Sequence, residues 1–250
     1  MNTDPARMDK IGRIHSLVEA VRSSPQRVHK ILIQKDSDKR KTAEIVHWAK
    51  MYRIPFFFVP KRKLDTLDRN HQGAVGFLSP KAFVSLEEIL NSAETPFLLL
   101  CDGVEDPQNL GAIIRTAEGA GVDGVILPER RAAGITDAVL SVSAGAAEHL
   151  SIARVKNLAQ TMDELRKRGI WLVGAEAGGQ DYWYEFDFTV PLGLVVGSEG
   201  KGLRTLVRSK CDKILSIPLS GKIGSLNVAA AAAVFLFEVV RQRKKCSASK

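Results

Sequence analysis

Cysteine is too scarce and too scattered here for its usual structural work. Cys101, Cys211 and Cys246 are an odd set, far apart in 250 residues, and they lack the short paired spacings of a metal site or a disulfide framework. No metal is expected, and a reducing compartment is. Long apolar runs are missing too. The longest, Val228–Phe237, has ten residues, whereas a membrane-spanning helix needs about 20. The N-terminus, Met-Asn-Thr-Asp-Pro-Ala-Arg, has no apolar core of the kind a signal peptide carries. A soluble, cytoplasmic protein is the expectation. No Gly-x-Gly-x-x-Gly follows a first strand, and no acid stands about 20 residues beyond one, which argues against a nucleotide-dependent oxidoreductase. A Walker phosphate loop fails where Lys201 is followed by Gly202.

Positive charge is present in excess and is concentrated. The net charge is +8, with 36 Lys and Arg against 28 Asp and Glu. Between Arg22 and Lys63 twelve basic residues face only three acids, a local net of +9. Such a segment attracts a polyanion, although charge alone specifies neither fold nor sequence.

Length allows one or two cores. The first part reads as a small α/β unit. Ile14, Leu17, Val18 and Val21 recur at helical spacing, and Val28–Ile33 is a short strand. Asp38–Tyr52 reads as a helix with Ile45, Trp48 and Ala49 on one side and Asp38 as N-cap. Strands follow at Pro55–Val59 and Gly73–Leu78. Residues 10–79 form this unit, and the polar stretch 80–95, with one short helix near Leu86–Leu90, reads as a linker. From 96 to 244 apolar strands (97–101, 124–127, 150–155, 170–175, 192–196, 213–217) alternate with helices (110–120, 157–168, 203–210, 228–243). That alternation predicts a parallel sheet covered on both faces. Residues 245–250 read as a frayed basic tail.

Three blocks carry groups suited to chemistry. Asn109 stands where a strand and the Asp106-Pro107 turn lead into a helix, as a cap or as a functional amide. Arg115, six residues on, is either a solvated helix residue or a guanidinium fork for a phosphate. Gly197–Gly202 joins a strand to a helix through a turn of three glycines that lets backbone approach a ligand. Within it Glu199 stands near Lys201. Ile217-Pro218-Leu219 ends a strand, and Ser225-Leu226-Asn227 opens the last helix, with Ser225 or Asn227 as its cap. That helix is apolar nearly all round and includes five alanines, so burial on most sides, as at a dimer interface, is expected.

Read in order, Asn-Leu-Gly-Ala-Ile-Ile-Arg-Thr (109–116), Val-Gly-Ser-Glu-Gly-Lys-Gly-Leu (196–203) and Ile-Pro-Leu-Ser-Gly-Lys-Ile-Gly-Ser-Leu-Asn-Val (217–228) resemble the three motifs of the SpoU/TrmH (SPOUT) RNA ribose 2′-O-methyltransferases. The helix at Ile14-His15, the basic strand-helix unit and His71-Gln72-Gly73 resemble the L30e-like substrate-binding domain of the branch that modifies a guanosine of bacterial large-subunit rRNA. The resemblance covers residues 12–243. It implies an α/β chain with a small N-terminal domain and a C-terminal SPOUT domain holding a parallel sheet and a deep trefoil knot, an exception to the rule of unknotted chains. It implies S-adenosyl-L-methionine held at Gly197, Ile217 and Leu226, and catalysis by Asn109, Arg115, Glu199, Ser225 and Asn227. It also implies a homodimer acting on RNA. One departure is that Ala-Val-Gly-Phe follows His71-Gln72-Gly73 where a more basic continuation is usual, which bears on RNA choice. A tRNA ribose methyltransferase and a non-catalytic RNA-binding or ribosome-assembly factor on the same scaffold are the alternative readings.

Overall fold

A computed structural model describes residues 8–36, 39–179 and 181–248. In chain order the strands are β1 (Asp9–Ile11), β2 (Val28–Gln34), β3 (Phe56–Val59), β4 (Ala74–Leu78), β5 (Phe97–Cys101), β6 (Gly124–Pro128), β7 (Ile152–Val155), β8 (Trp171–Ala175), β9 (Asp181–Tyr182), β10 (Leu192–Val196) and β11 (Lys213–Ser216). The helices are α1 (Ile14–Ser23), α2 (Lys39–Met51), α3 (Lys61–Asp65), α4 (Leu86–Leu90), α5 (Pro107–Gly119), α6 (Asp137–Val142), α7 (Ala146–His149), α8 (Leu158–Lys167), α9 (Thr205–Arg208) and α10 (Val228–Ala248). Two compact units result, one up to Ala82 with Gly134–His149 added, the other Phe83–Ala133 with Leu150 onward.

The first unit is a four-stranded sheet in the order β1-β4-β2-β3. β4 is antiparallel to β1 and β2, and β2 is parallel to β3. α1 lies on one face, close enough that a side chain on Gly76 would collide with Leu17, and α2 packs beside it. α3 lies on the other face, where Leu64 packs with Leu32 and Val75. The Asp38 cap falls outside the described residues. The segment 134–149 belongs here because polar groups fasten it. Asp137 accepts the backbone N–H of Lys10 at 2.7 Å, Arg27 pairs with the buried Glu148, and Lys81 Nζ donates to the Glu148 carbonyl at 3.2 Å.

The second unit carries a seven-stranded sheet, β7-β6-β5-β10-β8-β11-β9, parallel throughout. β5, β6 and β10 are buried at every position, as strands covered on both faces must be. Residues 83–95, most of the stretch 80–95 read from sequence as a linker, contribute to this core. The Val84 N–H bonds the Ile152 carbonyl at 3.0 Å, and Ile89 and Leu90 of α4 join the buried cluster with Leu98, Ile126 and Met162.

Helix α10, expected to be buried on most sides, buries one side within the chain. Val228, Ala232, Phe235, Leu236 and Val239 are buried, a single stripe at helical spacing that packs on α5. The opposite side is open, and Phe237 is 51% exposed. Small alanines let the helix approach α5 without wrapping it on all sides. The expected tail is also helical as far as Ala248. Arg243 fastens this end by donating to the carbonyls of Thr95 and Val190, at 3.2 and 2.9 Å. Among the described residues no helix is long and apolar enough to cross a membrane.

Candidate active site

The glycine turn after β10 closes on itself. Ser198 and Gly202 exchange both backbone hydrogen bonds at 3.0 Å, with Gly200 and Gly202 at positive φ, 75° and 62°. A side chain on Gly197 would overlap the Gly202 carbonyl and the Leu203 nitrogen. The loop can fold this tightly only because Gly197 has no Cβ.

Below it lies an acid that the sequence motifs did not reveal. Asp102, directly after β5, is fully buried. Its carboxylate accepts the Arg204 backbone N–H at 2.8 Å and Arg204 Nε at 2.6 Å. A buried carboxylate is costly unless it is paired and hydrogen-bonded, and these bonds provide that while fixing where the loop rejoins the chain. The only sequence signal was an acid at the end of the apolar run Phe97–Cys101. Glu176, also missed, stands after β8 and accepts Arg208 Nε at 2.6 Å.

These elements enclose a cavity of about 310 Å³. Gly197, Ile217 and Leu226 all line it, together with Ala175–Ala177, the 198–202 loop, Leu219, Ser225 and Phe235. One wall is bare backbone at Gly197, and Ala175, Ile217, Leu219, Leu226 and Phe235 give an apolar part suited to a flat uncharged ring, beside the charged Glu176, Glu199 and Lys201.

Beside this cavity the three motifs meet. Asn227 caps α10, its Oδ1 accepting the N–H groups of Ala229 and Ala230 at 2.9 and 3.3 Å. Those bonds fix the amide orientation, since only oxygen can accept them. Asn227 Nδ2 therefore points the other way, donating to Asn109 Oδ1 at 2.9 Å and to Glu199 Oε1. Asn109 is not a cap. Asp106 caps α5 by accepting from the Gln108 N–H at 3.1 Å, and Asn109 is buried in the first helical turn. The trio leaves Asn109 Nδ2 as a donor and Glu199 Oε2 as an acceptor, neither bonded to a described residue.

Ser225 is exposed on the loop lining the cavity. Arg115 is exposed on α5. Six residues after Asn109, it lies about 9 Å further along the helix axis and about a third of a turn round. It has no bond to the trio or to any other described residue, so its fork is free for a ligand. Lys201, near Glu199 in sequence, does not pair with it. Burial pushes the thiols of Cys101, which is buried, and Cys211, which is half-buried, up to about 12, which disfavours the thiolate. No group of three His, Cys, Asp or Glu among the described residues is placed to hold a metal.

The profile of the SpoU rRNA Methylase family matches residues 96–237, more than half of the chain. The protein belongs to that family. A second profile, RNA 2′-O ribose methyltransferase substrate binding, matches residues 14–84 of the methylase. The 23S rRNA (guanosine-2′-O-)-methyltransferase RlmB of Pseudomonas putida is 38% identical over 244 residues, 96% of this chain and 98% of the relative. A TrmH-family tRNA/rRNA methyltransferase of Bacillus subtilis is 38% identical over 92% of this chain and 94% of its own length. Among solved structures, the SpoU methyltransferase AviRb of Streptomyces viridochromogenes, in complex with AdoMet, is 29% identical with a TM-score of 0.81. That match covers 96% of this chain and 91% of AviRb. The methylase is therefore an α/β RNA methyltransferase with an N-terminal substrate-binding domain.

Proposed function

We propose that this methylase transfers the methyl group of S-adenosyl-L-methionine to the ribose 2′-hydroxyl of a guanosine in bacterial large-subunit rRNA. The observation that carries the reaction is the convergence of Asn109, Glu199 and Asn227 beside the Gly197–Ile217–Leu226 cavity. Similarity to RlmB along nearly the whole chain supports the guanosine of large-subunit rRNA. The tRNA/rRNA description of the Bacillus relative favours a tRNA ribose as the second reading. A non-catalytic assembly factor is disfavoured, since every motif side chain is kept and the trio is assembled.

S-adenosyl-L-methionine, when bound, supplies an electrophilic methyl group. Gly197, Ile217 and Leu226 would hold its adenine by close backbone approach and apolar contact. The nucleophile is a poor one and must shed its proton as it reacts. A guanidinium stays protonated in proteins, so Arg115 grips the target phosphate and stabilises charge developing on the 2′-oxygen. Asn109 Nδ2 and Ser225 orient the ribose, and Asn227 holds Asn109 and Glu199 in register.

A homodimer belongs to the same reading. Its support is the open side of α10 with Phe237, together with Leu206 and Ile223, 60% and 67% exposed. The trefoil knot belongs to it too, supported by insertion of the late strand β10 between β5 and β8. The substrate is tested by mapping 2′-O-methyl sites in rRNA and tRNA from a strain lacking the gene. Loss of one large-subunit guanosine methylation is expected; loss of a tRNA mark alone would replace this substrate with the second reading.

A further inference from the structure

The N-terminal sheet has two unlike faces. Ile31, Ile33 and Gly76 look toward α1, as the closeness of Leu17 to Gly76 requires. Side chains alternate along a strand, so Lys30, Leu32, Phe57, Val75 and Phe77 occupy the opposite face. α3 covers only part of it, through Leu64 against Leu32 and Val75. The uncovered part is an ordered row. Lys10, Phe77 and Lys30 stand directly across from one another on β1, β4 and β2. Lys30 Nζ lies 4.7 Å from the centre of the Phe77 ring. Phe57 follows on β3, paired with Leu32 two residues beyond Lys30, and is 54% exposed. Lys61, Arg62 and Lys63 of α3 border the row, all exposed.

An open sheet face in a water-soluble unit ordinarily bears polar side chains, and an aromatic left half in solvent forgoes the stabilisation of burial. Phenyl faces interleaved with cations, with Lys30, Phe57 and Lys61–Lys63 in the segment that holds the chain's excess charge, match a ligand with flat π-faces and a phosphate backbone. Single-stranded nucleic acid has both, because unpaired bases stack on aromatics while lysines follow the phosphates. A duplex keeps its base faces inside and offers the phosphates alone.

Resting on the RNA-substrate reading above, we propose that the Lys10–Phe77–Lys30–Phe57 face binds an unpaired stretch of the RNA substrate, with Phe57 and Phe77 as its stacking platform. Phe57 is the better probe, since Phe77 also packs against the small cluster under α3. The full-length protein is titrated with an unstructured 12-nucleotide RNA and with a duplex of equal length. Phe57→Ala should weaken single-strand binding about tenfold and leave duplex binding within about twofold. Phe57→Trp should restore single-strand binding. In methyl transfer the alanine variant should raise KM for RNA with kcat held. An equal loss on both probes, failure of tryptophan to rescue, or unchanged single-strand affinity would overturn the platform. Loss of self-association with RNA binding intact would instead assign the face to a second copy and also overturn it. Wild-type protein that transfers no methyl to any RNA would defeat the underlying reading, a result separable from all of these.

Discussion

Four hydrogen bonds meet on the side-chain amide of Asn227, two holding the start of α10 and two holding Asn109 and Glu199. Structural and chemical roles can be separated there by choice of substitution. Asn227→Ala removes both and should cost about 1 kcal/mol of stability along with activity. Asn227→Asp keeps a good cap but loses the donors and sets a second carboxylate against Glu199. It should melt near wild type while turnover falls about 100-fold; calorimetry and initial rates check the pair, and near-normal turnover in the aspartate variant would contradict the assignment. Arg115, without a partner among the described residues, is predicted to act only on RNA. Arg115→Ala and Arg115→Lys should both lose turnover, the lysine because a point charge cannot reproduce the planar fork. Affinity for S-adenosylmethionine should stay within about threefold by calorimetry. Each of these residues was legible in sequence from its motif, but their contacts were not. Asn109 and Asn227 are 118 residues apart, and nothing local announces that pairing. Asp102 was illegible because its partner, Arg204, is 102 residues away.

Among the elements, the longer ones followed from apolar periodicity, and the parallel sheet from its continuous apolar strands. Five short ones were missed: β1, α3, α6, α7 and β9 have from two to six residues, too few for a period to register. α10 shows a different limit. Composition marked it for burial on most sides but did not say which side packs within the chain, where its contact with α5 covers one stripe. The two phenylalanines near its middle should therefore respond differently. Phe235 is 1% exposed, and Phe235→Asp should prevent folding, since truncation alone costs about 3–5 kcal/mol. Phe237→Asp should fold and bind S-adenosylmethionine but shift the proposed dimer toward monomer in sedimentation. Unchanged association would contradict the dimer face.

For the whole molecule, the division into units was only partly legible, because residues 134–149 belong with the N-terminal unit through Asp137 and Glu148, contacts that no local pattern encodes. That junction carries a pH signature. Burial, and then Asp137, push the Asp9 carboxyl up from 3.8 to about 6, against the lowering effect of Arg27 and of a backbone N–H of Lys81, with Glu148 adding a smaller rise. A folded-state value above the unfolded one means that the folded protein holds the proton more tightly. Stability from this group is present below about pH 4 and is lost as pH rises through about 6. Asp9→Asn should match wild type at pH 4 and exceed it by about 1 kcal/mol at pH 7, allowing for solvent screening. Chemical denaturation at the two pH values checks this.

The central claim is transfer to a ribose, and methyl transfer by the purified protein tests it most directly. With tritiated S-adenosylmethionine and large-subunit rRNA, digestion to nucleosides should place the label on the sugar of guanosine, in linkages that resist alkaline cleavage. Label on a base, or no ribose label with any rRNA or tRNA, would contradict the account.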